Sequence, residues 1–279
     1  MVTILRPLSI SELLDRTFHL YRNSLLVFAG ISALPQLCVL GLNLLIPVLL
    51  LKWRAMGLSP HTLIITLSYY YIVVTVVSLV CIQISHAATV VAVSKLHLGL
   101  HAHIGDAYRE VKKSILRVIW IAFTVLLIVG CGTVLLVLPG IYWGIKYALA
   151  IPVTVLEKKG VSETLGRSAG LTDGRLGRIF CVYLLLVIFY WVLNTTFHFA
   201  LGIGAPFTRA HAIVMAPAPR VALIAVSAFL SNTLAGPLLT IALTLIYYDE
   251  RVRKEGFDLQ LMMSNLEGNP QAAAAAPAS

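Results

Sequence analysis

Ser114-Ile115-Leu116-Arg117-Val118-Ile119-Trp120-Ile121-Ala122-Phe123-Thr124-Val125-Leu126-Leu127-Ile128-Val129-Gly130-Cys131-Gly132-Thr133-Val134-Leu135-Leu136-Val137-Leu138 decides the class of this chain. Past Arg117 it carries no charge, and it exceeds the roughly 20 apolar residues that a helix needs to cross a ~30 Å hydrocarbon core. Five further apolar runs flank it: Ser24–Leu51, Thr62–Ser94, Ile141–Leu156, Leu176–Leu201 and Val221–Tyr248. Spanning helices are the reading that fits most of them. With 59% apolar and 12% charged residues, the chain holds about half the charge of an ordinary soluble domain.

The connecting segments alternate between basic and nearly uncharged. Sixteen of the 21 Lys and Arg fall before the first run, in the second and fourth connections, and after the last run. Four fall on the opposite side, and Lys146 lies inside a run. By the positive-inside rule this bias predicts a multi-pass protein with both termini cytoplasmic. The net charge of +9 is then a property of the membrane margin, where anionic lipid headgroups of the phospholipid bilayer are the expected partners. Nucleic acid is not expected, because the basic residues flank apolar spans and do not form one folded basic face. The first 24 residues contain Glu12 and Asp15 and lack a small-residue cleavage pattern, so they are not read as a signal peptide. Cys38, Cys81, Cys131 and Cys181 lie within the runs, as small apolar residues do.

Leu8-Ser9-Ile10-Ser11-Glu12-Leu13 predicts a helix start, with Ser9 as N-cap, Glu12 completing a capping box and Leu8 with Leu13 as a hydrophobic staple. The helix that follows is amphipathic and suits the plane of a membrane surface. Gly105-Asp106-Ala107-Tyr108-Arg109-Glu110 and Ser162-Glu163-Thr164-Leu165-Gly166-Arg167 precede the third and fifth runs in a similar way. The expected architecture is an all-α membrane protein with six transmembrane helices in three hairpins, each preceded by a cytoplasmic interfacial helix. It occupies residues 1–262 as a single membrane domain, and 263–279 is expected to be a disordered cytoplasmic tail. The second run, read as one helix, would be ~50 Å long, so its late part around Gln83, Ser85 and His86 is expected to emerge and pack on the interfacial helices. Leu138-Pro139-Gly140-Ile141 reads as a type II turn joining the third and fourth runs.

Chemistry is thinly marked. His97, His101 and His103 with Asp106 resemble a metal-ligand set, but without a well-spaced further ligand they read as histidines at a headgroup boundary. No metal or other cofactor is expected. Lys146 is an unpaired cation among apolar residues, a placement that costs at least ~2.5 kcal/mol unless it snorkels or finds a partner. Pro35 and Pro237 would free the carbonyls of Ile31 and Thr233. Gln36, Asn43 and Asn232 could join Lys146 in a polar interior that contacts a lipid or solute, and Gln83 and Asn194 could contribute. No His-Glu-x-x-His or phosphate-binding glycine loop is present, and no carboxylate lies inside a run. The expectation is a non-catalytic module that organises lipids or partner proteins. A permease for a small solute or lipid near Lys146 is the alternative.

The run ends in Tyr247-Tyr248-Asp249-Glu250-Arg251-Val252-Arg253-Lys254-Glu255-Gly256, with Asp249–Arg253, Glu250–Lys254 and Arg251–Glu255 spaced to pair and Gly256 placed to cap. Together with Arg6-Pro7-Leu8-Ser9, Leu13-Leu14-Asp15-Arg16, Leu138-Pro139-Gly140-Ile141, Ile151-Pro152, Leu156-Glu157, Arg167-Ser168 and Leu171-Thr172, this ending resembles uncharacterised bacterial polytopic membrane proteins grouped with the glycerophosphoryl diester phosphodiesterase membrane domain. The resemblance covers roughly residues 4–262. It implies the bacterial cytoplasmic (inner) membrane and proximity to lipid metabolism. In such phosphodiesterases catalysis belongs to a separate soluble barrel, so the resemblance implies no hydrolytic residue here.

Overall fold

The computed structural model describes residues 8–57, 59–201 and 218–255, and every regular element among them is an α-helix. In chain order these are α1 (Ile10–Asn23), α2 (Leu25–Met56), α3 (Pro60–His97), α4 (Ile104–Lys112), α5 (Ile115–Leu135), α6 (Val137–Lys146), α7 (Ala150–Glu157), α8 (Val161–Thr172), α9 (Leu176–Ala200) and α10 (Ala218–Glu255). The tail expected at 263–279 and the cap expected at Gly256 lie outside the described residues.

Among the described residues, five segments are long and apolar enough to cross a membrane: Leu25–Leu49, Ile64–His97, Ile115–Leu135, Leu176–Ala200 and Pro219–Glu255. Protein atoms bury only 11% to 39% of their most apolar windows, and large side chains such as Leu26, Val134 and Val192 point outward. An exposed apolar surface this continuous is compatible with lipid and not with water.

The fourth run departs from expectation. Pro139 and Gly140 do not form a turn but lie near the start of α6, and the joint to α5 is the single extended residue Leu136. Proline is tolerated in a first helical turn, where its missing N–H would have no partner. Gly140 is demanded by a backbone approach: a Cβ there would come within 2.8 Å of the Thr133 nitrogen and 2.9 Å of its Cα. A second interruption at Tyr147–Leu149 divides α6 from α7. Pro152, third residue of α7, contributes by offering no N–H to the carbonyl of Ala148. The described residues therefore form five long helices and one divided segment.

The three short amphipathic helices are present, and α1 carries the expected capping box, with Glu12 N–H donating to Ser9 Oγ at 3.2 Å and Ser9 N–H to Glu12 Oε2 at 2.8 Å. Each short helix also serves an interrupted neighbour. Tyr108 of α4 donates its hydroxyl to Ile31 O at 2.5 Å, the carbonyl that Pro35 deprives of its helical donor. Tyr21 of α1 donates to Leu234 O at 2.6 Å, beside the interruption made by Pro237. Ser168 and Thr172 of α8 donate to Lys146 O at 3.0 and 3.1 Å, where α6 stops. A buried carbonyl left unserved would cost about 1–3 kcal/mol, so the hydroxyls on Ile31 O and Lys146 O both seat their short helices and permit the breaks, whereas that of Tyr21 seats α1 beside Pro237.

Helix α10 is the hub. It packs along α2, α9 and α3, and its C-terminal part also touches α1, α7 and α8. Burial concentrates at that end, where Ala87–Val93 of α3 pack with Phe28, Ile31, Ala107, Val111 and Ile241. A second cluster gathers Leu13, Leu149, Val153, Leu171 and Ile179 around Ile246 and Tyr247.

Candidate functional site

The end of α10 enters a zone of charge without solvent. Asp249 and Glu250, in consecutive positions of one helix, are almost fully buried. Asp249 accepts from Leu8 N–H at 2.7 Å, Arg178 at 2.5 Å and Arg253 at 2.9 Å. The same two arginines donate to Leu8 O, so the backbone of residue 8 is held on both sides. Glu250 accepts from Arg178 at 3.0 Å through Oε1. Its Oε2 lies 3.4 Å from Arg175 Nε, near enough for charge attraction but without hydrogen-bond geometry. The expected Glu250–Lys254 pair does not form: Glu250 faces α9, and Lys254 donates instead to Gly170 O at 2.8 Å and Asp173 O at 2.7 Å, at the end of α8. The Asp249–Arg253 and Arg251–Glu255 pairs do form.

A second knot joins α7, α8 and α10. Glu157 accepts from Arg167 Nε at 3.1 Å and Tyr247 OH at 2.9 Å, and Lys159 Nζ stands 3.0 Å away. Arg167 also pairs with Glu255. Burial alone would raise the carboxyl pKa of Glu157, but the hydrogen bonds from Lys159, Arg167 and Tyr247, with the charge of Arg167, outweigh it and hold it below the usual value of 4.5.

The residues singled out in the sequence do not form one site. Lys146 ends α6 with its ammonium 5.4 Å from the ring centre of Tyr142, a cation–π contact. Asn43 bonds back to Val39 O in its own helix at 2.9 Å. Gln36 and Asn232 do meet, lining a cavity of about 60 Å³ with Ser32, Ser85, His86 and Thr89 beside Pro237. That volume is enough for a few waters. Asn232 accepts from Tyr190 OH at 2.9 Å. Sequence reasoning noted Ser85 and His86 of α3 but had no means of seeing that they face α2 and α10. Among the described residues no three of His, Cys, Asp and Glu converge as a metal site. His97 stacks on Tyr248 at 4.9 Å, His101 and His103 are exposed, and Asp106 stands 3.8 Å from Arg109.

A separate hollow of about 270 Å³ lies where α3 ends, α5 begins and α4 and α7 close the sides. Lys95, Arg109, Lys113 and Lys158 line it with Asp106 and Glu110, four cations to two carboxylates. Lys158 is the one non-glycine residue with positive φ among those described, at 55°, and Arg117 fixes its carbonyl at 2.5 Å. No family model, characterised protein or solved structure matches the chain.

Proposed function

We propose that the chain is a non-catalytic membrane module that organises lipids or partner proteins, crossing a bacterial inner membrane six times with both termini in the cytoplasm. In this reading the divided α6–α7 segment is the fourth crossing. One observation carries it: Asp249, Glu250, Glu157 and Glu255, the carboxylates deepest in the charged end, are each engaged by arginine. Acids held this way are struts between helices, whereas an acid–base catalyst needs a carboxyl within reach of a substrate proton. The sequence resemblance to membrane domains associated with phosphodiesterases agrees with a place near lipid metabolism.

The cavity of Gln36, Asn232 and His86 favours a second reading, a permease whose path runs through α2, α3 and α10 and not past Lys146. Two proline-interrupted helices flank it, as in many transport sites. Cysteine placed at Ser32 or Ser85, in a chain whose own four cysteines are replaced by Ala, separates the two. The module reading expects no reaction with a charged thiol reagent from either side of the membrane. Reaction from both sides would support the permease and overturn the module.

A further inference from the structure

Two separate hollows take their walls from the same two neighbouring helices, α3 and α5, at successive levels. The basic hollow takes Val91 and Lys95 from α3 and Lys113 and Ser114 from the joint between α4 and α5. Further along the same antiparallel pair, Val76, Leu79, Val80 and Gln83 of α3 face Ile119, Trp120, Ala122, Phe123 and Leu126 of α5 across a groove of about 420 Å³. The groove is almost wholly apolar. It begins at Ile119, five residues beyond Ser114, a rise of ~7.5 Å. The interfacial layer on each side of a bilayer is about 5–8 Å thick, given a ~30 Å core within a 40–45 Å whole. The spacing between cation and apolar groove is therefore that between a phospholipid's phosphate and the start of its acyl chains.

Building on the lipid-organising reading, we infer that the α3–α5 crevice is a binding site for one anionic phospholipid, its phosphate in the Lys95–Arg109–Lys113–Lys158 hollow and an acyl chain along Trp120 and Phe123. Charge selects the occupant. Glu110 stands 3.4 Å from Lys95 and Asp106 3.8 Å from Arg109, which leaves Lys113 and Lys158 as the excess. Lys158 is placed at the hollow by the end of α7, whose C-cap it forms in the left-handed conformation. Arg117 donates to its carbonyl and so helps to fix that end of the helix. A neutral occupant would leave two cations gathered without a counter-charge.

The test uses full-length protein exchanged into mixed micelles of phosphatidylglycerol and phosphatidylcholine, with retained lipid counted by native mass spectrometry. Wild type should keep one phosphatidylglycerol at roughly tenfold higher occupancy than phosphatidylcholine, a preference worth 1.4 kcal/mol. Lys113→Gln combined with Lys158→Gly should abolish the preference. Lys113 is exposed, and glycine suits the left-handed position, so the fold should persist with an unchanged melting temperature. Ala122→Phe, which fills the groove, should lower retention of both lipids at least fivefold. Displacement by millimolar inorganic phosphate, with Ala122→Phe silent, would mark a free-anion site and overturn the inference. Lipid retained equally by wild type and all variants would place it elsewhere, sinking this site while the lipid-organising reading stands. Wild type that keeps no phospholipid would sink both.

Discussion

Replacing Tyr108 by Phe removes one oxygen from α4, yet the loss falls on α2, where Ile31 O has no helical donor because residue 35 is proline. We expect Tyr108→Phe to destabilise the protein by about 1–3 kcal/mol, whereas Tyr69→Phe, on an exposed side chain, should stay within about 0.5 kcal/mol. Unfolding in detergent monitored by circular dichroism checks the pair; equal stability of the two variants would show that Ile31 O is served from elsewhere. The freed carbonyl could be read from Pro35 alone, because the missing N–H is a property of that residue. Its donor could not. It sits 77 positions away, and nothing in a local pattern says which polar group a fold will bring to a vacancy. Lys146 shows the converse: as an isolated cation in an apolar run it drew attention, while Gln36 and Asn232, expected to join it, line a cavity with His86 to which it does not contribute.

Among the elements, α1 was legible because its capping box and 3.6-residue apolar spacing are local signals. The tight joint of α5 to α6 was not, since hydropathy sums composition and is blind to the backbone contact between Gly140 and Thr133. The last turns of α10 are intermediate. Their i,i+4 spacing revealed Asp249–Arg253, but Glu250 exchanged Lys254 for Arg178 because burial against α9 put a guanidinium nearer. The knot at Glu157 makes a statement about acid. Its carboxyl pKa lies below 4.5 in the folded chain, so its stabilisation is fully present above that value and is lost as pH falls through the folded pKa. Wild type should therefore melt above Glu157→Gln at pH 7, and the two curves should converge below the folded pKa. A gap that does not narrow as the pH is lowered from 4.5 until the chain unfolds would mean that the ion pairs are not its source.

For the whole molecule, orientation is the expectation that follows from charge. With cysteine placed singly at Ser59 and Thr208, label should enter from outside intact cells, and at Ser162 and Ser264 it should not. The opposite pattern would invert the orientation, and mixed labelling would change the number of crossings. The three short helices, the end of α10 and most of the ion pairs share one end of the bundle, so the two faces of the membrane would meet very different surfaces.

The clamp on residue 8 has a consequence for the order of assembly. Leu8 and Asp249 are 241 positions apart, and at ribosomal rates of about 5–20 residues per second the first would wait roughly 12–50 s for the second to be made. Through that interval α1 has its capping box but not its principal packing surface, and Pro237, beside which Tyr21 docks, is also still unsynthesised. A chain arrested before α10 would present an undocked amphipathic helix at the membrane surface, a recognisable mark of incompleteness for a protease. Seating of α1 is thus a late event, and it reports that the last helix has arrived.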